Sequence, residues 1–191
     1  DLARVTARLR AAGIVFAEDE AVLLAATTDD PGDREAMIVR RERGEPLETV
    51  VGWAEFCGRR IIVAPGVFVP RRRSELLARR TLAVTAPGAV VVELCCGVGA
   101  IATVLAAALS PLDLYAIDIE PAAVRCARAN LGSRGRVLEG DLFAPLPSDL
   151  SGRVDVIVAN APYVPSAEVA LLPREARLHE PLVTLDGGGD G

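Results

Sequence analysis

The segment Val90-Val-Val-Glu-Leu-Cys-Cys-Gly-Val-Gly-Ala100 sets a β-branched run, one carboxylate and a glycine-punctuated turn directly ahead of an alanine-rich run. Val favours strands, Ala favours helices, and two glycines between them permit a sharp reversal. The stretch from Leu94 to Leu109 carries no charge, but this order of formers argues for a buried strand feeding a helix rather than for a membrane span. The same alternation continues on both sides. It predicts helix over 74–85, strand over 89–94, helix over 100–109 and strand over 113–118. Helix over 121–130 follows, with Pro121 as its first residue, and then strands over 136–139 and 154–159. Alternating units of this kind predict a parallel α/β sheet of Rossmann-like type with right-handed crossovers.

The chain ahead of this array reads differently. Leu2, Val5 and Leu9 mark one face of a helix ending near Gly13, and a second helix is expected over 19–26. A third follows Pro31-Gly32, with Asp33 as its N-cap and Gly44 and Pro46 as stop signals. From Val50 the pattern turns to alternation, through Gly52, Ala54 and Phe56. Cys57-Gly58 can reverse the chain and Ile61 to Val63 can return it as a hairpin. The resulting division is a helical domain over 1–48, a β-hairpin linker over 49–70 and a Rossmann-like domain over 71–191. Asp186 to Gly191 reads as a loop cut short. A doubly wound sheet normally continues, so truncation at the carboxyl end is expected, leaving strand 154–159 an open edge.

Composition narrows the chemistry. A formal charge of −5 disfavours a nucleic-acid partner, which calls for a basic face. The cysteines, Cys57, Cys95, Cys96 and Cys126, form no Cys-x-x-Cys pair, which suits reduced thiols in the cytoplasm and no metal site. His179 is the only histidine and no nucleophile elbow accompanies it, so a Ser-His-Asp hydrolase is disfavoured.

Two constellations carry chemistry. Gly97 and Gly99 let the backbone turn and approach a ligand closely, and Glu93 stands just ahead of them. Asp118 ends the next strand, 25 positions later, where a carboxylate can accept from both hydroxyls of a ribose. Asp141, after the third strand, is placed to accept from an adenine amino group. Gly97-Val-Gly99-Ala-Ile-Ala102 also fits the G-x-G-x-x-G/A string of dinucleotide folds. Glu93 favours S-adenosylmethionine over a dinucleotide, because a carboxylate there would oppose a pyrophosphate. The second constellation, Asn160-Ala-Pro-Tyr163, directly follows the fourth strand, at the edge where open α/β sheets bind ligands. An amide nitrogen is a poor nucleophile because its lone pair is delocalised. The Asn160 side-chain oxygen and the Ala161 carbonyl can each hold one N–H, and Tyr163 can pack on the flat amide.

With these segments the chain resembles the HemK/PrmC group of peptide-chain-release-factor glutamine methyltransferases over almost its whole length. Arg40-Arg-Glu-Arg-Gly-Glu-Pro46 resembles the end of that group's helical domain, and Gly52-Trp-Ala-Glu-Phe-Cys-Gly58 its linker hairpin. Pro65-Gly-Val-Phe-Val-Pro-Arg-Arg-Arg-Ser-Glu75 resembles its cofactor-side motif, Glu93 to Gly99 its cofactor loop, and Asn160 to Tyr163 its Asn-Pro-Pro-Tyr signature. Glu180-Pro181 and Leu185-Asp-Gly-Gly188 resemble the segment beyond. The resemblance implies a class I methyltransferase sheet and S-adenosylmethionine as cofactor. Phe68, Arg71, Glu75, Glu93, Cys95, Gly97 and Gly99 would hold that cofactor, with Asp118, Ile119, Asp141, Leu142 and Asn160. Asn160, Ala161, Pro162 and Tyr163 would hold the acceptor, the glutamine of a Gly-Gly-Gln loop in a class 1 release factor. It further implies a cytoplasmic protein with a protein partner gripped by the helical domain, no direct nucleic-acid contact and no membrane. Cys95 stands where the cofactor loop often has Gly, Ala161 replaces the first Pro of the signature, and Arg72-Arg73-Ser74 replaces a Pro-acidic-Thr sequence. Two alternatives stay open: a nucleic-acid exocyclic-amine methyltransferase, and a non-catalytic S-adenosylmethionine-binding homologue.

Overall fold

The computed structural model describes residues 1–191 and begins with four helices: Leu2–Ala11 (α1), Ala17–Thr27 (α2), Pro31–Glu42 (α3) and Leu47–Val51 (α4). Leu9, Leu24, Ile38 and Val50 form their shared core. Two ion-pair sets brace it: Arg8 reaches Glu35 and Glu42 from α1 to α3, and Arg41 holds the buried Glu20 at 2.6 Å. The cap of α3 is Asp30, not Asp33: the Asp33 N–H donates to Asp30 Oδ1 at 2.8 Å. Pro31 explains the shift, since it lacks an N–H and suits the first helical position, which puts the cap one residue ahead of it. Val50 is likewise helical rather than the start of a strand. Its N–H bonds the Pro46 carbonyl at 3.0 Å, and Gly52, at φ 84°, ends the turn in the left-handed region. The apparent alternation from Val50 onward was a helix end running into a strand.

Trp53–Phe56 (β1) and Arg59–Ile62 (β2) form the expected antiparallel hairpin. Cys57 and Gly58 both take positive φ, 49° and 69°, the arrangement of a tight primed turn whose twist suits the strands. Phe56 and Ile61 turn inward, and Arg60 covers the outward Trp53 ring at 4.2 Å.

The remaining chain supplies Glu75–Val84 (α5), Val90–Leu94 (β3), Ala100–Ala108 (α6), Asp113–Asp118 (β4), Pro121–Leu131 (α7), Arg136–Glu139 (β5) and Val156–Ala159 (β6). The four strands are all parallel, in the order β5-β4-β3-β6. β3 is buried along its whole length, as a strand covered on both faces must be. Val91 packs into the main core with Ile61, Leu105 and Leu114, while Val92 faces Tyr115, Ile117 and Leu150 on the other side. The strand order reverses between β3 and β6, which opens a crevice at their carboxyl ends. β6 is one edge of the sheet and β5 the other, and Ile157 of β6 is 54% exposed.

Beyond β6 come Val164–Pro165 (β7), Arg174–His179 (α8) and Asp186–Gly188 (β8). β8 pairs in parallel with β7, so the glycine-rich end that reads as a loop is partly a strand. Gly187 shows why glycine stands there: a Cβ on it would lie 2.9 Å from Tyr163 Cα and 3.0 Å from the Pro162 oxygen. No helix is long and apolar enough to cross a membrane.

Candidate active site

The loop from β3 to α6 is built by two carboxylates. Asp118, at the end of β4, accepts from the Gly97 N–H at 2.7 Å through one oxygen and from the Glu120 N–H at 2.9 Å through the other. It thereby ties the turn to the next strand. Glu93 is buried, and its carboxylate accepts from the Ala102 N–H at 2.7 Å in the first turn of α6. Burial pushes the Glu93 carboxyl up to about 8, against the pull of that N–H. The loop passes through left-handed conformations at Cys95, Gly97 and Gly99, with φ of 50°, 55° and 71°. Cys95 therefore bears the strain a Cβ adds at such a position. Desolvation pushes the Cys95 and Cys96 thiols up, as neighbouring carboxylates also do.

A cavity of about 690 Å³ spans the carboxyl ends of β3, β4 and β6. Glu93, Cys95 and Gly97 form its floor, and Phe68 stands on its wall. Asp118 and Ile119 enter from the end of β4, and Asp141 and Leu142 from the turn after β5. Asn160, Ala161, Pro162 and Tyr163 line the far end. Two expected residues lie elsewhere. Gly99 sits behind the loop, where a Cβ would meet Ala127 Cβ at 3.1 Å, so its role is close helix packing. Glu75 is outside the cavity: its carboxylate accepts from the Cys57 N–H at 3.1 Å and pairs with Arg79. It anchors the hairpin turn to α5.

Arg71 reaches the cavity wall, but its guanidinium is taken by Glu180 at 2.6 Å and lies 5.0 Å from the Phe68 ring. Burial raises the Glu180 carboxyl, while Arg71 and the Val69 N–H pull it the other way. Glu180 belongs to the segment beyond Tyr163, from which Leu172, Glu175 and Thr184 line the cavity. Arg41 of the helical unit stands 3.6 Å from Glu175, so that segment also meets α3. Arg73 donates to the Tyr163 hydroxyl and lies 5.6 Å from its ring. Reading by sequence missed Asn130 altogether. Its side chain accepts from the Ile62 N–H at 2.7 Å and donates to the Ile62 and Val98 carbonyls at 3.0 and 2.8 Å. The available signal was an Asn in the last turn of a helix whose buried face is otherwise apolar.

The comparisons with known proteins agree with this geometry. A family model described as the methyltransferase small domain matches residues 58–189. The release factor glutamine methyltransferase of Mycolicibacterium smegmatis is 38% identical over 97% of this chain and 72% of its own. That of Geobacter sulfurreducens is 37% identical over 81% of this chain. The 4-amino-L-phenylalanine/4-methylamino-L-phenylalanine methyltransferase of Streptomyces pristinaespiralis is 38% identical over 80%. The chain spans about half the length of the latter two, 55% and 54%.

The cavity fits the family's methyl donor. It is lined by Glu93, Asp118, Glu120 and Asp141, and of its two arginines Arg71 is paired with Glu180 while Arg73 donates to Tyr163. A sulfonium and an ammonium suit such a lining, whereas a pyrophosphate would be repelled. Glu93 in particular is a buried acid whose one bond is to a backbone N–H and which meets no cation of the chain. S-Adenosylmethionine thus answers the electrostatics of the site, and a dinucleotide does not. By sequence and by the build of this site, the chain belongs to the methyltransferase small-domain family, among the release factor glutamine methyltransferases.

Proposed function

We propose that the chain transfers a methyl group from S-adenosylmethionine to the side-chain nitrogen of a protein glutamine, the acceptor being a release factor as in the relatives' names. The observation that carries this reading is the position of Asn160-Ala-Pro-Tyr163 at the carboxyl end of β6, on the same cavity as the cofactor loop. The cofactor, when bound, supplies an electrophilic methyl group on a sulfonium sulfur. The chain's own work is alignment. Asn160 Oδ1 and the Ala161 carbonyl hold the two N–H groups of the acceptor amide, and Pro162 keeps Ala161 extended. Tyr163 flanks the amide plane, steadied by Arg73. Held in this way, the amide nitrogen would face the methyl group that the bound cofactor would supply, and solvent would take the one proton the nitrogen loses.

Residues 1–48 would grip the protein substrate and 71–191 would perform the transfer, joined by the hairpin over 49–70. The contact of Arg41 with Glu175 supports a helical unit that reports to the acceptor end. The cysteines, none in a disulfide, and the absence of a membrane-crossing helix support a cytoplasmic setting. The formal charge of −5 supports a protein rather than a nucleic-acid acceptor.

Labelled methyl transfer to a purified release factor tests the reading. Transfer should fall by about 10²–10³ in Asn160→Ala and vanish when the acceptor glutamine is replaced. Transfer to 4-amino-L-phenylalanine or to an oligonucleotide, and to no protein, would overturn it.

A further inference from the structure

Helix α8 is six residues long and buries none of them. A helix that short does not hold in water by itself, so it must be fastened from outside. Its fastenings lie at both ends and are polar. In the first turn Glu175 stands 3.6 Å from Arg41 of α3. In the last turn the His179 ring rests near Gly44, where a Cβ would lie 4.0 Å from Nε2, and that nitrogen is buried without a hydrogen-bond partner. Just past the helix, Glu180 accepts from the Val69 N–H and pairs with Arg71, on the loop that carries Phe68. Leu172, Pro173, Glu175 and Ala176 line the same cavity as Asn160 and Tyr163. The helix thus bridges the helical unit and two walls of the cavity.

On the helical side the node is Arg41. Its guanidinium holds the buried Glu20 of α2 through two bonds, at 2.6 and 3.1 Å, and donates to the Glu45 carbonyl at 2.9 Å. The side chain is 12% exposed, so the packing of α2, α3 and the turn before α4 sets its position. One charge locked into the helical core therefore faces the only acid of α8, which itself lines the cavity. We propose that Arg41 is a positioning residue for the active site. Through Glu175 it fixes α8, and α8 fixes the cavity wall from Leu172 to Ala176 and, through Glu180, the loop bearing Phe68. The inference rests on the methyl-transfer reading above and gives the helical unit a task besides any grip on a substrate. If Arg41 served only the helical core, Glu175 could change with no consequence for the cofactor.

The test uses the full chain and three variants: Arg41→Lys, Glu175→Gln and the two combined. Arg41→Lys keeps a charge for Glu20, and Glu175→Gln removes the same contact from a side chain that is 45% exposed and outside the helical core. Amide exchange over 174–180, read by mass spectrometry, should quicken in each single variant. S-Adenosylmethionine affinity, read by calorimetry, should weaken by about 3-fold in each, as suits a half-exposed ion pair. Stoichiometry should stay at one cofactor per chain, which separates this loss from a misfolded fraction. In transfer to a release factor, kcat should fall by a similar factor while KM for the protein holds. The combined variant should be no worse than the weaker single one, because both substitutions remove one contact. Losses that multiply in the combined variant would overturn the proposal. So would parental exchange, or parental affinity and kcat, in Glu175→Gln. Exchange and affinity are read without turnover, so a parent chain that methylates no protein would count against the glutamine reading alone, and these two measurements would still decide the role of Arg41.

Discussion

Glu180 brings both carboxylate oxygens to one nitrogen of Arg71, at 2.6 and 2.7 Å, and the first of them also accepts from the Val69 N–H at 3.2 Å. One acid beyond the Asn160–Tyr163 segment thus fixes the loop that carries Phe68 to the cavity wall. The Glu180 side chain is 1% exposed and that of Arg71 37%, so the pair is buried on one side only. Glu180→Ala should cost about 2 kcal/mol, less than a fully buried pair because water screens Arg71. It should also weaken S-adenosylmethionine binding, since Phe68 loses its support. Glu180→Gln keeps an acceptor for Val69 and should lie between the two. Denaturant midpoints and cofactor titrations measure both, and an alanine variant within about 0.5 kcal/mol of the parent would refute the latch.

Gly97 and Gly99 share a loop but fail differently when given a side chain. Both have positive φ, 55° and 71°, yet only at Gly99 would a new Cβ collide, with Ala127 Cβ at 3.1 Å and its Cα at 3.3 Å. Gly97→Ala therefore carries the dihedral strain alone, about 1 kcal/mol, while Gly99→Ala adds a backbone contact that α7 cannot easily yield, for about 3 kcal/mol. Equal losses in thermal or chemical unfolding would show that dihedral strain dominates at both.

The Asn130 amide imitates a strand neighbour for Ile62 and adds a bond to the cofactor loop at Val98. Asn130→Ala leaves one N–H and two carbonyls without partners and should destabilise by about 3 kcal/mol. Asn130→Asp keeps the acceptor for Ile62 but turns its other oxygen toward two carbonyls. Its stability should improve on acidification, as the carboxyl gains a proton to donate. A pH-independent Asp variant would show that the amide's donor half is dispensable.

The strands over 113–118 and 136–139 were legible to the residue: the first is a mostly buried run, Leu114 to Asp118, and the second, an edge strand, is a short Val137-Leu138 pair between Gly135 and Gly140. The cavity was equally legible where its residues sit at strand ends: Glu93, Asp118, Asp141 and Asn160 all reach it. What escaped depends on partners far along the chain. Asn130 meets Ile62 across 68 positions and Glu180 meets Arg71 across 109, and no local pattern announces either bond. Arg71 and Glu75 were read as cofactor ligands on the family resemblance; Arg71 lines the cavity while paired with Glu180, and Glu75 lies outside it, holding the hairpin turn. The strand at Asp186–Gly188 escaped because glycine weakens strands on average, and only the closeness of Tyr163 makes glycine the residue required there.

Glu93 makes cofactor binding a proton-linked event. Its carboxyl titrates near 8 in the folded chain because burial disfavours the charge, against about 4.3 when exposed. The folded state therefore holds a proton that the unfolded state has released. Stability from this group is complete below the unfolded value and is lost as pH rises toward 8, at up to about 1.4 kcal/mol per unit. A cation in the cavity favours the ionised form, so binding S-adenosylmethionine below pH 8 expels the proton. Apparent affinity should then climb by up to about tenfold per pH unit between about pH 6 and 7.5, before the cofactor's own amine begins to discharge near 8. Calorimetry in two buffers of different ionisation enthalpy should show about one proton released per cofactor at pH 6.5. Glu93→Gln should bind more weakly and release none. A flat affinity profile with no buffer dependence in the unaltered chain would mean that Glu93 keeps its proton beside the bound cation and that Asp118 and Asp141 carry the attraction by themselves.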